Sequence, residues 1–282
     1  MVKLAVRLIE ALHPLVANRK MYGQCGITKH CPVEPVQTLI QERIMDTPQS
    51  PTLPIHSVVR SAFVNQITCI DWQEGIKQVL SESIDLVVTD PPYGMAYRSN
   101  RRAVKHKSIK NDTDLDWLGD WCKELKRVCK PEAHLYIFCS WHNVDVFKQT
   151  IGAYFNVKNI LVWEKNNHGS GDLLGDYAPK YELILFCSDG SKKLNGGRDS
   201  NVLKVAKTAN ENHPTEKPVN LIRYLIEKSS NKGDLVLDTF AGSFSTAQAC
   251  KEIGRDFVCF EIEPEYCRTA KNLLNGVSVS LF

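Results

Sequence analysis

The sequence predicts an α/β fold in which helices cover both faces of a doubly wound, mostly parallel sheet. Short apolar runs alternate with amphipathic stretches from Val64 onward, and this alternation is typical of parallel strands joined by helical crossovers. Proteins of this class bind ligands beyond the carboxyl ends of the strands. Candidate site residues are therefore expected where an apolar run stops.

Seven apolar or β-branched runs predict buried strands. They are Ile67–Ile70, Leu86–Thr89, Leu135–Cys139, Ile160–Trp163, Leu183–Cys187, Leu235–Leu237 and Phe257–Phe260. Between these strands, two apolar stripes at helical spacing predict two helices. The stripes comprise Trp117, Leu118, Trp121, Cys122, Leu125, Val128 and Cys129, and then Val219, Leu221, Ile222, Leu225 and Ile226. Pro218 opens the second helix, and a third is predicted over Thr246–Ile253.

The hydrophobic pattern divides the chain into two regions: it is weak in the first 60 residues, and it alternates regularly between predicted strands and helices in the remainder. Residues 1–60 are expected to form an N-terminal extension and linker, punctuated by Pro48, Pro51 and Pro54, and residues 61–282 the main domain. Met45 begins a plausible shorter product, so residues 1–44 are either a real extension or an artefact of the start site.

The composition of the chain excludes several classes of protein. Among 282 residues, 43% are hydrophobic and 24% charged, and the net charge of +3 neither demands nor excludes a polyanionic partner. No two of the ten cysteines have Cys-x-x-Cys spacing, and Cys25, His30 and Cys31 lack a fourth ligand, so no metal is expected. Neither a secretory signal nor a membrane-spanning stretch is recognised, which predicts a soluble cytoplasmic protein.

The strongest motif is Asp90-Pro91-Pro92-Tyr93, which follows the buried run ending at Thr89. An exocyclic amine of a nucleic-acid base is a poor nucleophile because its lone pair is delocalised into the ring. A side-chain oxygen of Asp90 and the carbonyl of Pro91 can accept its two N–H groups, and the prolines restrict the backbone. Tyr93 offers a flat face for stacking. Taken alone, the motif is equally compatible with an ordinary strand-ending turn.

A second strand end carries a loop of small residues. Asp234–Asp238 runs into Thr239-Phe240-Ala241-Gly242-Ser243 and then a helix, an arrangement that lets backbone amides approach a ligand. The next predicted strand ends at Glu261, where an acid commonly holds ribose hydroxyls.

These segments together resemble the S-adenosylmethionine-dependent DNA amino-methyltransferases of the β arrangement, in which the catalytic tetrad precedes the cofactor loop. The resemblance covers about residues 64–275 and includes His213-Pro214-Thr215-Glu216-Lys217-Pro218, Val162–Lys165 and Tyr181–Leu185. It implies a Rossmann-like methyltransferase domain over 61–282 with Asp90, Pro91, Pro92 and Tyr93 as catalytic residues. The residues that it implies for binding S-adenosylmethionine are Asp71, Thr215, Lys217, Pro218, Asp238, Phe240, Ala241, Gly242 and Glu261.

The chain departs from the family pattern Phe-x-Gly-Ser-Gly at Phe244, where a second glycine is usual. Phenylalanine adopts glycine-only dihedral angles at a cost. The loop is therefore expected either to have an ordinary backbone conformation here or to bind the cofactor less well.

Basic residues follow the tetrad directly and suggest where DNA lies. Residues expected to contact phosphates are Arg98, Arg101, Arg102 and Lys105. Chemistry on a base in a duplex requires the base to be extruded into a pocket, and a basic loop beside that pocket would suit this step. Two interpretations of the segment 166–180 are about equally favoured: a second wall of the base-binding pocket and a plain surface loop. Residues 188–212 are the candidate target-recognition insertion, which is short for a separate domain.

The resemblance favours methyl transfer to adenine N6 in double-stranded DNA, because the tetrad begins with aspartate and ends with tyrosine. Cytosine N4 methylation, RNA methylation and a catalytically weak DNA- or cofactor-binding module are the alternatives. A homodimer and a cognate restriction endonuclease are further partner predictions.

Overall fold

The computed structural model describes residues 63–95, 114–168, 174–207, 217–242, 244–273 and 279–281, which belong to one compact unit spanning Leu53–Phe282. The predicted extension and linker, with Cys25, His30 and Cys31, lie outside these ranges. Within them, no helix is long and apolar enough to cross a membrane. The same ranges contain no group of three or more His, Cys, Asp or Glu side chains arranged to hold a metal ion.

A single sheet runs through the described part of the chain, in the order β6-β4-β5-β3-β2-β7-β8-β1-β9. Its strands are β1 (Gln66–Cys69), β2 (Ile84–Thr89), β3 (Cys129–Cys139), β4 (Asn156–Glu164), β5 (Tyr181–Ser188), β6 (Val202–Lys204), β7 (Leu235–Asp238), β8 (Asp256–Glu261) and β9 (Val279–Leu281). Only β5, among these strands, runs antiparallel to its neighbours. This arrangement confirms the predicted doubly wound, mostly parallel fold.

Helices pack on both faces of the sheet. They are α1 (Trp72–Ile76), α2 (Leu118–Val128), α3 (Val144–Gly152), α4 (Val219–Ser229), α5 (Ser245–Ile253) and α6 (Pro264–Leu273). Consecutive residues of β2 show how the layers form: Val87 packs in the core under α1, α2 and α3, whereas Leu86 and Val88 pack in the core under α4 and α5.

All seven predicted strands are present, and β6 and β9 are additional. Neither additional strand is an uninterrupted apolar run, because β6 ends in Lys204 and β9 has Ser280 at its centre. The stripes that predicted α2 and α4 both face the core. Pro218 lies one position before α4 and not inside its first turn, and its carbonyl accepts N–H groups of Leu221 and Ile222.

The order of the strands brings the two predicted halves of the site together. β2 and β7 are hydrogen-bonded parallel neighbours, with Val87 opposite Leu237, so their carboxyl ends lie at the same edge of the sheet. The tetrad leaves β2 at this edge and the small-residue loop leaves β7 beside it. Because β5 is antiparallel, the end of β4 and the start of β5 also lie at this edge.

Candidate active site

The tetrad begins where β2 ends. The Tyr93 hydroxyl donates a hydrogen bond to Oδ1 of Asp90. From the loop after β3, Asn143 Nδ2 donates to the Tyr93 carbonyl at 2.6 Å, which holds the tetrad backbone against the neighbouring strand end. Gly94 follows with a left-handed φ of 69°, and a Cβ there would lie 3.0 Å from the Leu115 side chain, so glycine suits this turn.

The second carboxylate oxygen of Asp90 faces a lysine. Lys217 Nζ lies 2.5 Å from Asp90 Oδ2 and 3.2 Å from Glu182 Oε2, and only 8% of its side chain is exposed. Lys165 Nζ contacts the other oxygen of Glu182 at 2.6 Å. The Asp90 side chain keeps 23% of its surface exposed, which leaves it open to an incoming group.

Burial and ion pairing oppose each other in this cluster. Burial raises the pKa of Asp90, and Lys217 acts against this. For Glu182 burial also acts upward, but Lys217 and Lys165 outweigh it and lower the pKa to about 2. The pKa of Tyr93 is raised well above its usual value by burial and by Asp90, so its hydroxyl stays protonated and can donate.

Hydrogen bonds link the end of β7 to the end of β2. Asp238 Oδ1 accepts from Thr89 Oγ1 at 2.8 Å and from the Phe240 backbone N–H at 3.1 Å. Trp121 Nε1 of α2 donates to Thr239 Oγ1 at 3.0 Å. Burial raises the pKa of Asp238 to about 6 against these hydrogen bonds. The two strand tips therefore form one hydrogen-bonded unit.

Glu261 lies at the end of β8, beside the loop that follows β7. Its two oxygens accept the backbone N–H groups of Gly242 at 2.8 Å and Glu263 at 2.7 Å, and burial raises its pKa. A carboxylate has about four lone-pair positions, so two remain for further donors. These free acceptor positions fit the two hydroxyl donors of a ribose diol.

Phe240 lies in an aromatic cluster with three tryptophans. Its ring centroid is 5.5 Å from that of Trp117, 5.9 Å from Trp121 and 6.4 Å from Trp72. Phe240 and Trp117 are only half-buried, so they present apolar surface beside the small-residue loop. Asp71, predicted to bind the cofactor, precedes α1 and caps it by accepting the Gln73 N–H at 2.8 Å.

Phe244 contradicts the first of the two alternatives, an ordinary backbone at this position, while weaker cofactor binding stays a prediction. It precedes α5 with φ 64° and ψ 22°, in the left-handed region that glycine would occupy. Its side chain is only 2% exposed and belongs to the apolar core under α4 and α5. Burial of the ring offsets the backbone cost, which explains how phenylalanine is accommodated here.

The remaining predicted residues divide between the described ranges and the rest. Pro91 and Ala241 are buried, while Pro92 and Gly242 are half-buried at the same sheet edge. Thr215, Arg98, Arg101, Arg102 and Lys105 lie outside the described residues. The Lys217 side chain ends at Asp90 and Glu182, and its carbonyl accepts Ser245 Oγ at 2.7 Å.

Three polar residues of this edge had no predicted role: Asn143, Lys165 and Glu182. Lys165 and Glu182 belong to segments that resemble the family, but the resemblance gave them no function. Their signal in the sequence is an acid and a base directly beside the apolar cores of β4 and β5.

The loop after β3 also places a large aromatic side chain in solvent. Trp141 is 54% exposed and stacks on His142, with ring centroids 3.9 Å apart. Ser140 Oγ is 2.9 Å from His142 Nδ1, and Asn143 contacts the tetrad. The loop is thus tied to the tetrad and presents Trp141 outward at the same edge.

Much of the candidate recognition insertion 188–212 is fastened to the domain. Asn195 Nδ2 donates to the carbonyls of Glu227 and Ser230, and Lys228 Nζ lies 2.8 Å from Asp199. Val202–Lys204 pairs with β4 as β6. Residues 208–212 lie outside the described ranges.

Comparisons with known proteins identify relatives of this chain. The DNA methylase family model matches residues 84–205 and 198–272. The DNA adenine methyltransferase YhdJ of Escherichia coli (strain K12) is 29% identical over 240 residues, covering 72% of this chain and 80% of the relative. The type II methyltransferase M.HpaI of Haemophilus parainfluenzae is 29% identical over 240 residues, covering 75% and 74%. The solved M1.HpyAVI–SAM complex has a TM-score of 0.58 at 27% identity, covering 74% of this chain and 99% of that one.

Proposed function

The chain belongs to the DNA methylase family of S-adenosylmethionine-dependent amino-methyltransferases, and from this premise we propose that it methylates adenine N6 in double-stranded DNA. One observation carries the proposal: Asp90 and the loop at Gly242 leave neighbouring parallel strands at one edge, joined by the Thr89–Asp238 hydrogen bond. An acceptor base held at Asp90 would therefore lie beside a donor held by the loop.

The acceptor half polarises the amine. We assign one N–H of the amine to Asp90 and the other to the Pro91 carbonyl, which draws the nitrogen lone pair out of conjugation. Tyr93 stacks on the base, and its hydroxyl keeps Asp90 oriented. Holding both reactants in line supplies much of the acceleration, so a covalent enzyme intermediate is not required.

The donor half fits S-adenosylmethionine, which supplies an electrophilic methyl group when bound. Glu261 has free lone pairs for the ribose hydroxyls, and the small residues Ala241 and Gly242 let the backbone approach the ligand. The half-buried rings of Phe240 and Trp117 provide apolar surface nearby. Within this half, Asp71, Thr215, Pro218 and Asp238 stay predictions as cofactor ligands.

The proposed DNA-binding surface combines basic residues that follow the tetrad with an aromatic platform. Arg98, Arg101, Arg102 and Lys105 are proposed to contact phosphates. Chemistry on a paired base requires its extrusion from the stack, and exposed aromatic rings stack on bases irrespective of sequence. Trp141, held beside the tetrad, is proposed to serve in this way.

Adenine is favoured over cytosine by the aspartate-headed tetrad and by the name of the relative YhdJ. We further propose that residues 61–282 form the catalytic domain in the cytoplasm. M.HpaI is named a type II methyltransferase, which supports pairing with a cognate restriction endonuclease. A homodimer is a separate proposal.

The function is tested by its product. The chain is incubated with methyl-labelled S-adenosylmethionine and equal amounts of unmethylated DNA and RNA of one sequence, and the nucleosides are identified by mass. We expect N6-methyldeoxyadenosine, absent from a reaction without the chain. N4-methyldeoxycytidine would move the acceptor to cytosine, and methylated RNA would replace the substrate. Cofactor binding without any methylated product would favour the binding module.

A further inference from the structure

Lys217 connects the two halves of the site through opposite ends of the residue. Its ammonium contacts Asp90 at 2.5 Å, and its carbonyl accepts the hydroxyl of Ser245, the first residue of α5, at 2.7 Å. The residue thus ties the helix that follows the cofactor loop to the acceptor carboxylate. It is 7% exposed, so solvent screens its charge poorly.

The surroundings of Lys217 hold its charge in place. Glu182 Oε2 lies 3.2 Å from the ammonium, and the ring of Phe138 lies beneath it at 5.1 Å. Glu182 is itself held by Lys165, whose ammonium lies 5.2 Å from the Trp163 ring. Two carboxylates and two ammonium groups therefore form a cluster with no net formal charge, the arrangement that buried charges require.

Asp90 needs such a partner because its acidic neighbours disfavour its ionised form. Glu182 of β5 and Asp238 of β7 are acidic, and Cys139 of β3 also lies within electrostatic range. Tyr93 is neutral and donates one hydrogen bond. Among the described residues that influence Asp90, Lys217 supplies the cationic charge.

We propose that Lys217 is a positioning residue for methyl transfer, which keeps the Asp90 carboxylate ionised and oriented toward the acceptor amine, and is not a cofactor ligand. The inference rests on the proposed function. Tyr93 and Lys217 each occupy one lone pair on a different oxygen of Asp90, so lone pairs remain on both oxygens for the amine.

The test compares Lys217→Met with Lys217→Arg. Methyl transfer requires an ionised Asp90, so activity is present above the pKa of Asp90 and is lost below it. Loss of the cation raises this pKa and therefore moves the acid limb of the kcat profile to higher pH. We expect a rise of about 1 to 3 pH units, the usual influence of an adjacent opposite charge. Lys217→Arg retains the charge and restores most of the wild-type limb. Calorimetric affinity for S-adenosylmethionine stays within about threefold of wild type in both variants, because no cofactor contact is lost.

Further variants separate this role from a structural one. Lys77→Met removes a lysine directly after α1 whose side chain is 62% exposed, and leaves the profile unchanged. Lys217→Met combined with Glu182→Gln removes the facing acid as well. The cluster then has no net formal charge again, so the acid limb falls back toward wild type. A loss of kcat that is equal at every pH would overturn the proposal, as would a tenfold loss of cofactor affinity.

A readout without turnover keeps the inference distinct from the proposed function. The ¹³Cγ signal of Asp90, assigned by its absence in Asp90→Asn, is titrated in wild type and in Lys217→Met. A midpoint raised by Lys217→Met supports the positioning role even if wild type methylates no DNA, which would defeat only the proposed function. An unchanged midpoint contradicts the positioning role.

Discussion

At the scale of a single residue, Phe244 shows that a sequence departure need not change the backbone. Its φ of 64° places it where the family pattern has glycine, and its carbonyl accepts the Gln248 N–H at 3.0 Å as α5 begins. A left-handed non-glycine residue costs about 1–2 kcal/mol. Burial of the ring contributes a comparable stabilisation of about 1.5–3 kcal/mol.

Phe244→Gly and Phe244→Ala should separate these two contributions. Both variants lose the buried ring, so both are expected to lower the free energy of unfolding by about 2–5 kcal/mol. Glycine alone relieves the left-handed strain, so Phe244→Gly should be about 1 kcal/mol more stable than Phe244→Ala. Urea unfolding followed by circular dichroism measures both values. Equal stability of the two variants would show that the strain is negligible.

At the scale of elements, the loop from Ser140 to Asn143 gives β3 a role beside the tetrad. Asn143 fixes it to Tyr93, and the stacked pair Trp141–His142 faces outward. The ring of Trp141 is 54% exposed and its loop is held by Asn143, so the ring is available for stacking beside the tetrad. Base stacking on such a ring contributes about 1–3 kcal/mol.

Trp141→Ala is therefore expected to weaken DNA binding about tenfold or more, measured by fluorescence anisotropy on a labelled duplex. Affinity for S-adenosylmethionine should not change, because Trp141 follows β3 and not the cofactor loop. Val146→Ala, on α3 and 39% exposed, is the matched control and should leave DNA affinity unaltered. If Trp141→Ala binds DNA as wild type does, the platform is refuted.

The elements show which parts of the fold local patterns could predict. Most of the seven apolar runs are buried in the sheet, and burial on both faces imposes an uninterrupted apolar pattern. The run in β4 is the exception, since only Trp163 of it is fully buried. The antiparallel direction of β5 was not predictable, because a fully buried run looks the same in either direction. The contacts of Glu182 and Asn143 with the tetrad segment also escaped, since they depend on the order of strands in the sheet.

At the scale of the whole molecule, the sheet order explains why the site forms where it does. The motifs at Asp90 and Gly242 are far apart in sequence, yet β2 and β7 pair directly and end together. The motifs predicted this meeting, because parallel strands share one carboxyl edge. Their hydrogen-bonded connection through Thr89, Asp238 and Trp121 was visible only in the structure.

We propose that the site has two separable halves: an acceptor half on β2 and a donor half on β7 and β8. Asp90→Ala tests this most directly, because it removes the carboxylate that accepts a hydrogen bond from the amine and leaves Glu261 and the loop at Gly242 unchanged. Methyl transfer from labelled S-adenosylmethionine to DNA and calorimetric cofactor affinity are measured on the same preparation. We predict that methyl transfer is abolished while cofactor affinity stays within about threefold of wild type. Retained turnover in Asp90→Ala, or cofactor binding lost together with it, would contradict the division of the site.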